Sequence, residues 1–298
     1  MIKNISTIII VAISSMFLSQ CAEVDTPVIL DPSQVVLFDT TYVSSTPFNT
    51  FQKNVLLEEF SGVKCTNCPQ GNAKTKSLHA ANPSRINVVT AHSYFLAAPY
   101  SGDLDLRCED AQALIAVPLG PVPSKPATYI NRLKYPSLVN RAVPDIDTWE
   151  NLVNAELAKT TPVNLELETV FVDEEERKFR YKVTVSFSAA ISDVSLGFLL
   201  TENYIETQQL DNGVLLEEYE HEYVLRDYIT SIFGENITEN IVANTVIIKE
   251  FEVDLDDYEA SADGKTTEPI DWKIENMEIV AFIRNNNDEI IQSTSSEL

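Results

Sequence analysis

Two cysteines separated by two residues, at the end of an apolar run, constrain this chain more than any other feature. The stretch reads Val55-Leu56-Leu57-Glu58-Glu59-Phe60-Ser61-Gly62-Val63-Lys64-Cys65-Thr66-Asn67-Cys68-Pro69. Its first part predicts a strand over 55–60, then a Ser-Gly turn, then a helix over 69–82 with Pro69 in its first turn and Asn82-Pro83 stopping it. Thiols at a helix opening meet unpaired N–H groups and the positive end of the helix dipole, which favours thiolate over thiol. Such placement can lower a cysteine pKa from about 8.5 into a range of roughly 3.5 to 7.5. The spacer lets both sulfurs meet across one helical turn, so the motif can close and open a disulfide.

The segments that follow fit an α/β sheet. A buried strand over 86–91 ends at His92, a helix over 104–117 carries Cys108, and Pro118, Pro121, Pro123 and Pro126 make a rigid approach to a strand over 127–133. A helix over 145–159 places Trp149, Leu152, Val153 and Leu157 on one apolar face. After Thr160-Thr161-Pro162 the period changes to two: Phe179, Tyr181, Val183, Val185 and Phe187 alternate with Lys178, Arg180, Lys182, Thr184 and Ser186. That is a strand with one buried face. With further strands expected at 163–168, 194–200, 247–255, 277–284 and 289–292, and a short helix within 224–233, the second part reads as an antiparallel β-sandwich of immunoglobulin-like character. The expected domains are therefore 51–161 and 162–298.

Residues 1–20 carry one charge, Lys3, and an apolar run over 8–18, the pattern of a secretory signal too short to span a membrane stably. Leu18-Ser19-Gln20-Cys21 looks like a bacterial lipobox, which implies cleavage before Cys21, acyl chains (palmitate among them) on that residue, and the lipid bilayer as a partner. Residues 21–50, rich in Pro, Ser and Thr, read as a tether with one strand at 35–38. The signal holds one Lys and no acid, so its removal takes the net charge from −24 to −25. A surface that acidic repels nucleic acid. With Cys21 acylated, Cys65, Cys68 and Cys108 remain, too few for a disulfide-stapled fold, while 44% hydrophobic residues can build ordinary cores.

The strand, turn and Cys-x-x-Cys resemble the thioredoxin superfamily. The resemblance implies a thioredoxin-like first domain, with Glu59 as the buried acid six residues before the first cysteine and Pro126 as a cis-proline opposite the pair. It further implies an exposed, attacking Cys65 and a more buried, resolving Cys68 that passes its proton to Glu59. Lys64 stands where Trp is usual, and Thr66-Asn67 where Gly-Pro is usual, so no redox potential carries over. Lipobox, Cys-x-Asn-Cys-Pro and sandwich together resemble the Bacteroidota family of thioredoxin-like outer-membrane lipoproteins named for a twenty-eight-kilodalton antigen. Further matches are Val89-Thr90-Ala91-His92, Glu222-Tyr223-Val224-Leu225-Arg226 and Glu278-Ile279-Val280-Ala281-Phe282-Ile283.

The resemblance implies an outer-membrane protein on the periplasmic face or the cell surface. Two functions fit. One is a thiol–disulfide oxidoreductase acting on protein thiols or disulfides, with no cofactor beyond the Cys65–Cys68 disulfide. The other is a non-catalytic binding lipoprotein whose sandwich contacts an envelope protein or glycan. His92 is a second-rank site candidate, since a histidine ending a buried strand is more often a hydrogen-bonded core residue than a catalyst. A zinc site from Cys65, Cys68, His79 and His92 lacks a second Cys-x-x-Cys or a paired His, so no metal is expected. Cys108 reads as a small buried hydrophobe on its helix, and 217–222, Glu-rich around Tyr219 and His221, as a solvated loop.

Overall fold

Long apolar runs and alternating runs take different places in the structure. The computed structural model describes residues 34–298, apart from 94, 117–118 and 259–271, so the expected signal and Cys21 lie outside the described residues. In chain order come β1 (Val35–Val43), β2 (Phe51–Gln52), β3 (Val55–Ser61), α1 (Cys68–Ala81), β4 (Ile86–His92), α2 (Glu109–Ala116), β5 (Ala127–Ile130), α3 (Ile146–Leu157) and β6 (Thr160–Thr161). Strands then predominate: β7 (Val163–Asp173), β8 (Lys178–Phe187), β9 (Ser195–Glu202), β10 (Ile205–Asp211), β11 (Val214–His221) and β12 (Val224–Tyr228). The last are β13 (Glu235–Asn236), β14 (Thr245–Asp254), β15 (Met277–Arg284) and β16 (Ile290–Glu297). The protein is mixed α/β and mostly sheet.

Every residue of β3 and β4 is buried, as expected of parallel strands covered on both faces. They sit in a large sheet of order β16-β15-β9-β12-β4-β3-β5, with β13 paired to β9. A second, antiparallel sheet has the order β1-β14-β8-β7. In β8 every second residue from Phe179 to Phe187 is buried. Those side chains pack with Leu196, Phe198 and Leu200 of β9 and with Ile279, Ala281 and Ile283 of β15.

The large sheet does not stop at 160–162. Val224 of β12 pairs in parallel with Thr90 of β4, and the Thr90 N–H donates to the Tyr223 carbonyl at 2.6 Å. One face of the sheet carries a single apolar cluster across this point, holding Leu56, Phe60 and Val89 together with Leu199, Leu225, Val280 and Phe282, and α2 packs on it. On the other face, α1 and α3 cover the β3–β4 half through Leu78, Trp149 and Val153. The second sheet covers the β9–β15 half. Asp31–Leu298 form one compact unit.

Several expectations need correction. The tether's strand is longer than 35–38, because β1 pairs with β14 from Val35 to Val43 and forms the sheet edge. The helix carrying Cys108 starts only at Glu109. Cys108 precedes it, and its sulfur accepts from the Ala111 N–H at 3.3 Å. Residues 224–228 form β12 rather than a helix, since β9 takes their backbone groups. Residues 217–221 belong to β11, not a loop: β10 and β11 form a separate two-stranded ribbon. Its turn is Asn212-Gly213, both at positive φ (47° and 83°), the pair that a tight two-residue hairpin demands.

Candidate redox site

β3 delivers the site from inside the sheet. Its chain leaves at Ser61, and the loop back into α1 is held by the Cys65 N–H on the Gly62 carbonyl (2.9 Å) and the Lys64 N–H on the Leu96 carbonyl (2.8 Å). Cys68 is the first residue of α1 and is bonded to Cys65, with an S–S distance of 2.08 Å. The pair therefore lies at a helix mouth, as its spacing predicts.

Glu59 points from β3 toward α1 and is fully buried. The Thr75 hydroxyl donates to its Oε2 at 2.7 Å. Burial pushes the carboxyl up to about 8, with the Thr75 hydrogen bond drawing it the other way. Gly71 makes this approach possible: a Cβ there would stand 2.5 Å from Glu59 Oε1 and 2.7 Å from Pro126 Cβ. The Lys125–Pro126 bond is cis. Thus α1, Glu59 and Pro126 meet at a position only glycine can occupy. Next in sequence, and one turn on from Cys68, Asn72 completes the arrangement. With its amide oriented to suit its neighbours, Nδ2 donates to Glu59 Oε1 (2.8 Å) and to the Cys68 carbonyl (3.2 Å), and Oδ1 accepts from the Tyr219 hydroxyl (3.3 Å).

A cationic group also reaches the site. Lys125 Nζ donates to the Ser61 carbonyl at 2.8 Å and to the Ser93 carbonyl. Burial lowers its ammonium to about 8. His92 ends β4 beside Ser61 and is 0% exposed. Its ring stands 5.4 Å from that of His221, which β11 brings in. Neither imidazole has a well-formed hydrogen bond. Burial, reinforced by His221 and Lys125, holds His92 well below the usual range, and burial brings His221 down to about 4. His92 is thus a buried histidine whose contact with the Thr90 backbone is too poorly aligned to be a full hydrogen bond.

The ribbon covers the disulfide. The Leu210 N–H donates to the Val63 carbonyl (2.8 Å) and the Asn212 N–H to the Thr66 carbonyl (3.0 Å). The Gly213 N–H reaches the Thr66 hydroxyl (2.7 Å), and Gln209 Nε2 the Cys65 carbonyl (3.2 Å). Cys65 is consequently only 3% exposed and Cys68 0%, which corrects the expectation of an exposed first cysteine. The zinc alternative is not assembled. His79 lies eleven residues along α1 from Cys68, roughly 16 Å at the helical rise, and its Nδ1 faces the Ile86 carbonyl. Among the described residues no group of three or more His, Cys, Asp or Glu is placed to hold a metal ion.

Sequence reasoning missed Gly71, Asn72, Thr75, Lys125, Gln209, Tyr219 and His221. Asn72 and Thr75 could have been found from their spacing, since residues four and seven positions after Cys68 share its helix face.

The fold and site define a class: a mixed α/β, sheet-rich protein with a covered disulfide at a helix opening. Residues 121–298 match the family described as outer membrane protein Omp28, and the chain belongs to that family, which places it at the outer membrane. The matched part includes Pro126 but not the cysteine pair. Similar solved structures include HBP35 of Porphyromonas gingivalis, at 20% identity and TM-score 0.63 over 84% of this chain and 77% of that one. That likeness concerns the fold. Another is a domain of the outer membrane lipoprotein Omp28 from Porphyromonas gingivalis, at 15% identity and TM-score 0.29, covering 46% of this chain and 88% of that one. No curated protein matches the sequence. Among the described residues no helix is long and apolar enough to cross a membrane.

Proposed function

We propose that this outer-membrane protein carries out thiol–disulfide exchange at Cys65–Cys68. The reading assigns a thioredoxin-like portion to 51–161 and an immunoglobulin-like sandwich to 162–298. Residues 1–20 serve as a signal and Cys21 as the acylated anchor in the bilayer. The observation that carries it is Glu59: a carboxyl buried without a cation, held at about 8 beside the first turns of the helix that bears Cys68. A carboxyl buried with only neutral donors favours its protonated form, and this one is poised to exchange a proton near neutrality.

In the reduced protein the Cys65 thiolate attacks a substrate disulfide. One substrate sulfur bonds to Cys65 and the other leaves as a thiolate. Glu59 takes the Cys68 proton, and the Cys68 thiolate then attacks the Cys65 sulfur. The mixed disulfide breaks and the second substrate sulfur leaves, so two electrons have passed to the substrate and Cys65–Cys68 is a disulfide again. Protein thiols and disulfides of the envelope are the substrate class, and the sandwich portion recruits them.

The burial of Cys65 favours a second reading, in which the disulfide is static and the chain is a non-catalytic binding lipoprotein for an envelope protein or glycan. The reduction potential separates the two. Exchange predicts a value between roughly −270 and −120 mV, and a value below about −300 mV puts the binding protein first. For the anchor, Cys21→Ala should abolish fatty-acid labelling, and labelling that persists in the variant removes the acylation assignment.

A further inference from the structure

We propose that the ribbon β10–β11 is a lid whose closure is tied to the oxidation state of Cys65–Cys68. The proposal rests on the exchange reading, because only a pair that cycles between thiols and disulfide can work a lid.

The ribbon pairs with neither large sheet, and an isolated two-stranded ribbon is marginal in water. Its position therefore depends on what it touches. The backbone N–H groups of Leu210, Asn212 and Gly213 find their acceptors on residues 63–66, the loop whose shape the disulfide fixes, and Gln209 Nε2 is shared between the Cys65 carbonyl of that loop and the Gly62 and Leu210 carbonyls. Opposing these bonds are two buried imidazoles, His92 and His221, that closure leaves without good partners, a cost that opening to water relieves. The ribbon joins its neighbours through Tyr204 and Tyr223, at φ 60° and 56°. Non-glycine residues hold that left-handed conformation only where surrounding contacts enforce it. Closure is thus a balance between the hydrogen bonds to that loop, together with the Gln208 N–H on Asp103 Oδ2 (2.8 Å) and the Tyr219 hydroxyl on Asn72, and several local costs.

Reduction shifts that balance. A thiolate of a dithiol reductant attacks one sulfur of the pair, the Cys65–Cys68 bond breaks and a mixed disulfide forms. The reductant's second thiol then displaces the cysteine. The reductant leaves as a disulfide, having supplied both electrons, and Cys65 and Cys68 end as thiols with protons from solvent. Two thiol sulfurs cannot stay within bonding distance, so they separate and residues 63–66 move with them. The lid loses the surface it latches to.

Hydrogen exchange on the full chain, oxidised and after reduction with dithiothreitol, reads this directly. The amides of Leu210, Asn212 and Gly213 should exchange about tenfold faster or more once the pair is reduced, while those of β3 keep their protection. In a second arm, Gln209→Ala combined with Thr66→Val weakens the latch, and dithiothreitol should then reduce the pair about tenfold faster than in the wild type. Unchanged ribbon protection in the reduced protein, or equal reduction rates, overturns the lid. The exchange reading is judged separately by the potential. An exchange-range potential with an unmoved ribbon removes the lid alone, whereas an inert-disulfide potential removes the catalytic reading and, with it, a lid worked by redox cycling.

Discussion

Glu58 and Glu59 are neighbours on one strand, both fully buried, and they meet opposite fates. Glu58 faces the α2 side. There it accepts from Arg132 Nη2 (2.6 Å) and Nε (2.8 Å), and from the Tyr228 hydroxyl (3.1 Å). Arg132 also donates to the Ile232 carbonyl (2.7 Å) and lies over the Phe282 ring. Burial works against the guanidinium charge, and the Glu58 carboxylate more than offsets it. Glu59 faces α1 and finds only neutral donors. A buried carboxyl with a guanidinium fork is a structural pin, here joining β3 to the chain around β12. One without a cation stays largely protonated at neutral pH and is available to chemistry. Burial is the same, and the partner decides the role.

Removing one side of the pin should have the largest effect. Arg132→Met leaves a charge without a partner, so urea unfolding should report a loss of about 3–5 kcal/mol. The double variant with Glu58→Gln should recover most of it. An equal loss in both would mean that the packing of Arg132, not its charge, matters.

Glu59→Gln should do the reverse: little or no loss of stability, but slower resolution of mixed disulfides by about 10²- to 10⁴-fold. Its pH dependence gives a second reading. A carboxyl raised to about 8 in the fold favours the neutral form, so its contribution is lost as pH rises from about 4.5 through 8. The variant should lack that alkaline decline in stability, and a decline of the same size in Gln would assign it elsewhere.

The histidines supply the opposite slope. His221, at about 4 in the fold, and His92, also lowered, both favour the neutral closed form. Their contribution is full above about 6.5 and is lost as pH falls toward 4. Asp103 lies near His221 and pulls the other way, while Lys125 and Arg226 near His92 add to the effect. His221→Gln should flatten the acid limb of stability, measured by thermal unfolding from pH 7 to 4. The smallest effect is expected for Tyr219→Phe, which removes one hydrogen bond to Asn72 and should cost roughly 0.5–1.5 kcal/mol. Deletion of that hydroxyl with no change would place Asn72's orientation under Glu59 and the Cys68 carbonyl.

Much of the site was legible because it is local. An apolar run, a Ser-Gly turn and paired cysteines placed Cys65 and Cys68 at a helix opening, and Glu59 and Pro126 were added to them by the family resemblance. What covers the site was not legible. In 217–221 the glutamates hide an alternation whose inward members are Tyr219 and His221, and their burial depends on β4 and α1, which lie far off in sequence. The Asn212-Gly213 turn was the available signal for that ribbon. Nothing local pairs Glu58 with Arg132, 74 residues further on, and β12 could not be assigned from a segment whose partners are Thr90 on one side and β9 on the other.

The pairing of Val224 with Thr90 also has a consequence in time. A chain crossing into the envelope from its N-terminus delivers β3, β4 and both cysteines well before β12 exists. Until then β4 presents an open edge, and long-range closures of this kind are slow and vulnerable to mispairing. The cover of the disulfide comes from 205–221 and arrives in the same late portion. The order of the chain thus puts the cysteines ahead of the residues that bury them, and their cover waits for the C-terminal strands that close the sheet.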